Sequence, residues 1–475
     1  MVIILLWGVI AFLFFHIGYK HHLFYQEQNQ LFLLSWEYVK SYYTGFGWLA
    51  RLTGDFLTQF YYYLLAGPAI LTVFLLLLGG ATYQLLRHWR VGRWWSLAVA
   101  LVVMTTEAVF CLHYGYRLSS VVSHVGVIGT LAIVTRRPTP ALPKREGGKR
   151  VGAGCSPSLI RRAVMIQISL FLACWLFGFS LPTKLTLPEM EFEKALAVSD
   201  EYYFGNYDRV IEMTEQEEQP SERTLFYYNL VQAQRGNLPD VLLRYQPNQL
   251  GTFYEIGPET PLLVIKDMNE LYWALGDMTY TERAAMMGNV FSIENRNVRM
   301  VRRLAECNLV SGDHEATEKY LRLLDKTLVW SRWAKTVREN GNDIYRDKMA
   351  MANKKDTIVL GDNSHQLMMQ LLDSNPHNTV ALDYILCSDL LLKDITNFKR
   401  DYDRYCSAEP RMKPLYQQAL CIWLAGTNAP QDDWAKYIRD NQMLQQFAAY
   451  NQQRGSSQFA GTYWYYFDKG EKVKK

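Results

Sequence analysis

Hydrophobic residues are arranged in two different ways along the chain. Up to residue 182 they run in long blocks, and beyond it they recur at helical spacing with polar positions between. The blocks cover residues 1–19, 64–86, 94–115, 119–135 and 163–182. A helix needs about 20 mostly apolar residues to cross a bilayer. Each block therefore predicts a span; the fourth is the shortest and is interrupted by Ser and Gly. The first is read as a retained anchor rather than a cleaved signal. No basic residue precedes its apolar run, and Gly18-Tyr19-Lys20-His21-His22 is not a small-residue cleavage site.

From residue 183 onward no strand-like alternation occurs, and the apolar spacing predicts helices throughout. Four short sequences break it at similar intervals: Gly205-Asn206-Tyr207, Gly236-Asn237-Leu238, Gly276-Asp277-Met278 and Gly312-Asp313-His314. Each follows one apolar helix and precedes another. Gly beside Asn or Asp allows the left-handed backbone that a tight helix–helix turn needs. Asn375-Pro376-His377-Asn378 opens a further helix with Pro in its first turn. A helix–turn–helix unit recurring near 34 residues resembles tetratricopeptide repeats. That resemblance implies a stack of helix pairs with an extended groove suited to a peptide or protein.

Charge separates the same two regions. The totals, 50 Lys/Arg and 46 Asp/Glu, nearly cancel. Residues 1–182 hold 15 basic and 5 acidic residues, and residues 183–475 hold 35 and 41. A basic face on the soluble part, which a nucleic-acid binder would show, is not expected. Basic residues near span ends mark the cytoplasmic side. Arg87, Arg90 and Arg93 follow the second block, and the Pro/Gly-rich segment 136–162 carries Arg136, Arg137, Lys144, Arg145, Lys149, Arg150, Arg161 and Arg162. Segment 136–162 is read as a cytoplasmic linker that enforces topology rather than a lipid-binding site. Five spans then put residues 183–475 outside the cytoplasm, in the periplasm if the membrane is a Gram-negative inner membrane.

Between the first two blocks, 15 of the 45 residues from Tyr19 to Tyr63 are aromatic. That density suits the head-group level. Residues 30–43 and 48–62 are expected to form two helices lying in the membrane plane. Polar groups occur in this apolar setting: Glu27, Asp55, and Glu107 within the third block, with His113, Arg117 and His124 near the same level. An ionisable residue in a span faces a cavity or a partner, so Glu107 is either functional or a buried carboxyl paired with a His or Arg. Glu27 and Asp55 read first as surface carboxylates.

One span, an acidic residue soon after it, two juxtamembrane helices and a second span: this layout resembles the start of the multi-span glycosyltransferases of the C-type fold. The resemblance implies a lipid-linked sugar as substrate and an acidic residue in the first outer loop that acts on the acceptor or orients it. Glu27 is the matching position, with Asp55 and Glu107 in support. The chain as a whole also resembles uncharacterised bacterial envelope proteins with a multi-span part and a tetratricopeptide-like part.

Other chemistry is sparse. No phosphate loop, dinucleotide fingerprint or His-Glu-x-x-His motif is present, so no cofactor is expected. No two cysteines are spaced Cys-x-x-Cys, so no metal site is expected. Cys307, Cys387, Cys406 and Cys421 would lie where disulfides are allowed, but their long spacing on helices leaves them unpaired in this reading. His314, His365 and His377 read as scattered and exposed. Trp273, Trp330, Trp333, Trp423, Trp434 and Trp464, with the run Thr462–Phe467, read as core or membrane contacts before sugar-stacking surfaces.

The expected protein is all-α: a transmembrane bundle of about five spans in residues 1–182, then a tetratricopeptide-like α-solenoid in 183–475. The expected function is a non-enzymatic membrane scaffold in contact with the bilayer, binding a protein or peptide partner and no nucleic acid. The alternative is a glycosyltransferase-like enzyme using a lipid-linked sugar, with Glu27, Asp55 and Glu107 as its acidic residues. A transporter subunit using Glu107 is a third reading.

Overall fold

The computed structural model describes residues 2–45, 47–135, 190–245, 250, 259–352, 364–407 and 411–470. Among them every regular element is helical. The chain divides into two compact units, Met1–Glu193 with Lys326–Val329, and Lys194–Asp325 with Trp330–Lys475. The division falls inside the helix Met190–Tyr203. The expected boundary at 182, the linker 136–162 and the block 163–182 lie outside the described residues.

In the first unit, Val2–Leu13 runs into a π-helical turn, Phe14–Gly18, and then bends by 72° into His21–Gln28. The bend leaves the first N–H groups of the second piece without partners in their own helix. Glu193 supplies them: its Oε1 accepts from His21 N at 2.5 Å and its Oε2 from His22 N at 3.1 Å. Ala66–His88 packs against Val2–Leu13, Arg93–Phe110 and Leu118–Val134. Small residues permit these approaches. A Cβ on Gly79 would fall 2.0 Å from Met104 Sδ, and one on Gly54, in the helix Trp48–Thr58, 2.4 Å from Ser119 Cα.

By length and composition, Ala66–His88 and Arg93–Phe110 can cross a membrane, and the bent first pair makes a third if counted as one span. Leu118–Val134 is apolar but shorter, at 17 residues. Leu6, Ile10, Ile17, Leu77, Val102 and Ile133 stay exposed on these helices.

The expected helix over residues 30–43 does not form. Only Trp36–Ser41 is α-helical, N-capped by Ser35 and followed by the 3₁₀ turn Tyr42–Thr44. Burying Phe32, Tyr38 and Tyr42 together, against Leu52 and Phe56, requires the chain to fold back before the helix begins. Tyr38 Oη then donates to Leu31 O at 2.9 Å. The second expected helix is present as Trp48–Thr58, ending in a 3₁₀ turn, Gln59–Tyr62.

The second unit is built from helix pairs. Gly205, Gly236, Gly276 and Gly312 all take positive φ, between 71° and 82°. At each, the Gly N–H bonds the carbonyl three residues back and the next N–H the carbonyl five back, as with Gly276 N to Trp273 O at 3.2 Å and Asp277 N to Tyr272 O at 3.0 Å. This is the Schellman closure, which satisfies carbonyls left over at a helix end. Asp277 and Asp313 then cap the following helices through Tyr280 N and Ala316 N. The same closure recurs at Lys393-Asp394, where Lys393 has φ 54°, and at Asn428 with φ 49°.

Stacking of neighbours does not describe the whole unit. Glu222–Gln234 packs against Thr379–Leu391, some 150 residues on, and Asn378 Nδ2 donates to Leu275 O at 2.7 Å. One core joins Val198, Tyr227, Leu271, Tyr384, Phe398, Tyr416 and Trp464. The C-terminal aromatic run belongs to it: Tyr463 Oη and Tyr466 Oη donate to Leu390 O and Leu391 O, and Trp464 Nε1 to Gln418 O. Cys307, Cys387, Cys406 and Cys421 are buried and free.

Asp277 shows how a turn residue couples to pH. Its Oδ1 caps Tyr280 N, while Oδ2 is buried without a hydrogen-bond partner. Burial raises the carboxyl to about 6, against the ordinary 3.8. A raised acid binds its proton more tightly when folded, so stability falls as pH rises from about 4 to about 6. Asp277→Asn keeps the capping oxygen and removes the charge. It should stabilise the protein by about 3 kcal/mol above pH 6 and change little below pH 4. Chemical denaturation at pH 4 and pH 7 measures the difference.

Candidate functional site

The structure brings one of the three sequence-selected carboxylates into a cluster. Glu107, near the end of Arg93–Phe110, is buried; His124 Nδ1 lies 3.0 and 2.9 Å from its two oxygens, and Tyr116 Oη donates to Oε1 at 2.7 Å. Asp55 is half-buried, and its Oδ2 accepts from Tyr42 Oη at 2.8 Å. Tyr42 lies in turn 3.0 Å from Tyr38 Oη. Glu27 is not at the surface: it is 2% exposed, on His21–Gln28 just past the 72° bend. Its neighbour Gln26 donates to Tyr114 O and Tyr116 O, which ties this helix to the loop holding the Glu107 partner. His113 Nδ1 accepts locally from Gly115 N. His22, which the sequence reading did not select, is buried with Nε2 3.0 Å from Cys111 O.

The second unit buries far more charge than sequence reasoning suggested. Asp267 accepts from Arg223 and Tyr227. Glu270, 2% exposed, receives Arg299 Nη2 and Arg303 Nη2, both at 2.7 Å. Burial opposes ionisation of Glu270, but Arg303 and Arg299 outweigh it and hold the carboxyl at about 2. Glu306 accepts from Arg302 Nε and from Tyr345 Oη.

This network occupies the tryptophan faces considered for sugars. Arg303 and Lys348 lie over Trp273, Arg302 lies between Tyr203, Trp330 and Trp333, and Lys399 lies over Trp423. Trp464 is enclosed by Phe447 and Tyr450. The detectable sequence signal was the polar set Lys266, Asp267, Asn269 and Glu270 within an otherwise apolar helix, Leu262–Leu275, all four of them buried.

A third cluster corrects the reading of His365 as scattered and exposed. The helix Ser364–Ser374 packs on Thr379–Leu391, which pairs with Ile395–Cys406. His365 is thereby half-buried, with Nε2 2.5 Å from Asp401 Oδ2 and 3.7 Å from Asp389 Oδ1. Both aspartates are buried. Asp389 and Asp401 raise the imidazole to about 9. Burial raises Asp389 to about 6. Arg400 reaches Asp401 Oδ1 from Nε at 2.9 Å. Among the described residues this is the group of His, Cys, Asp and Glu side chains with metal-ligand geometry.

Long apolar helices in one unit and capped helix pairs in the other define an all-helical protein of two parts. A family model described as a family of unknown function (DUF6057) matches residues 1–180 and 151–470. The chain belongs to that family. No curated protein and no solved structure matches it.

Proposed function

We propose that the chain is an integral protein of a bacterial inner membrane, presenting its second unit outside the cytoplasm as a helical-hairpin domain that binds a protein or peptide of the envelope. The observation that carries this reading is the contrast in apolar surface. The first unit leaves long apolar helix faces exposed, which suits lipid. The second gathers most of its apolar residues into one large core and two small clusters. Arg87, Arg90 and Arg93 at the turn between two apolar helices support a cytoplasmic position for that turn. Schellman-closed hairpins with capped starts resemble the units of repeat proteins that bind peptides.

The second reading, a glycosyltransferase-like enzyme on a lipid-linked sugar, takes its support from Glu27. A carboxylate 2% exposed, on the helix just past the bend, is the feature that supports it. Glu107, bound by Tyr116 and His124, and Asp55, bound by Tyr42, are its supporting acidic residues.

An alkaline-phosphatase fusion after Lys475 should be active, and one inserted at residues 89–92 silent. The reverse pattern overturns the orientation and with it the envelope partner. Transfer from a polyprenyl-phosphate sugar by the purified chain, lost in Glu27→Ala, would replace the scaffold reading with the second one.

A further inference from the structure

We propose that His365, Asp389 and Asp401 form a binding site for one divalent transition-metal ion of the zinc class. The three residues come from three helices that the hairpin at Lys393-Asp394 and the preceding helix bring together. One donor atom from each lies within 4.8 Å of the others. One imidazole nitrogen and two carboxylates form the mixed N,O set that Zn²⁺ and Mn²⁺ accept. An ion between them needs donor contacts of about 2.0–2.2 Å. The observed separations of 2.5 and 3.7 Å reach that arrangement through small side-chain rotations.

The observation that separates a metal site from a plain ion pair is Asp389. This residue is 2% exposed, and its Oδ2 is buried with no hydrogen-bond partner. Burying a carboxylate oxygen unsatisfied is costly. The pairing of His365 with Asp401 does nothing for it, whereas an ion held by both Asp389 oxygens, Oδ1 being the one 3.7 Å from His365 Nε2, would satisfy it. Asp401 is already divided in the way a ligand requires. Its Oδ2 faces His365, and its Oδ1 accepts from Arg400 Nε, the outer hydrogen bond that orients metal-bound carboxylates.

Arg400 Nη2 also lies 3.2 Å from Asp401 Oδ2 and 3.4 Å from His365 Nε2, so an ion bound to those two atoms would displace it. Its side chain is about half exposed, so it can withdraw into solvent while Asp401 stays fixed. His365, 27% exposed, gives the ion access from the surface.

The test uses the full chain in detergent, purified without a histidine tag and stripped with EDTA. Equilibrium dialysis against Zn²⁺ and Mn²⁺, read by elemental analysis, should give one ion per chain, and saturation should raise the thermal midpoint. His365→Ala and Asp389→Asn should each lower the affinity at least tenfold, whereas His377→Ala, an exposed histidine, should not. His365→Ala removes a half-exposed ring, so it remains informative if Asp389→Asn folds poorly. Failure to retain either ion at saturating concentration overturns the site. So does equal affinity in wild type and His365→Ala.

Discussion

Glu270→Gln should destabilise the second unit by about 3–5 kcal/mol, because it leaves buried guanidinium groups without their counter-charge. Arg299 and Arg303 both donate to this carboxylate, and their side chains are 3% and 8% exposed. Gln can accept one of these bonds but cannot neutralise either cation. Arg303 retains Glu306 at 3.2 Å. Glu270→Leu with Arg299→Met, which removes the charge and one of its partners together, should recover a large part of the stability. The acid limit has a definite sign. Arg303 and Arg299 hold Glu270 at about 2, below the ordinary 4.5. Its contribution is therefore present above about pH 4.5 and is lost as pH falls toward 2. Urea denaturation of the full chain, followed by far-ultraviolet circular dichroism, measures all three quantities. A loss under 1 kcal/mol for Glu270→Gln would mean that the two arginines are solvated.

Gly276→Ala should cost about 2–3 kcal/mol, and Gly312→Ala about 1 kcal/mol. The two glycines sit in turns of the same kind, with φ of 78° and 82°, and both are followed by a capping Asp. An added Cβ meets the left-handed penalty in either place. At Gly276 it also falls 3.0 Å from Met351 O and 3.4 Å from Ala352 Cα, backbone atoms that cannot rotate away. At Gly312 nothing lies within 4 Å. Met351 O is further held by Asn375 Nδ2 at 3.0 Å. Equal costs for the two variants would show that the 351–352 backbone yields.

These two glycines also mark how far the sequence can be read. Each Gly followed by Asn or Asp announced its turn, because few other residues tolerate that backbone. Lys393 and Asn428 adopt the same left-handed conformation without glycine. The turn at Lys393-Asp394 was therefore invisible, although Asp394 caps Asn397 N as Asp277 caps Tyr280 N. Residues 30–43 misled for another reason. Their helical spacing was real, but grouping Phe32 with Tyr38 and Tyr42 outweighed a continuous helix.

Site residues were legible only where partners lie close in sequence. Glu107, Tyr116 and His124 fall within 18 residues, on two consecutive helices and the loop between them, so a buried pair could be entertained. His365, Asp389 and Asp401 converge from three helices, and no spacing rule links them. The Glu270 network joins residues about 30 positions apart, and its one local sign was a run of polar side chains on a buried helix.

The packing of Glu222–Gln234 against Thr379–Leu391, with Tyr463 and Trp464 closing over the later helices, bears on biogenesis. A nascent chain can wind its early hairpins as they emerge, but their apolar flank stays bare until more than a hundred further residues have been delivered. A premature stop shortly before Tyr463 would not merely shorten the product. It would unroof the middle of the domain and hand it to quality-control proteases.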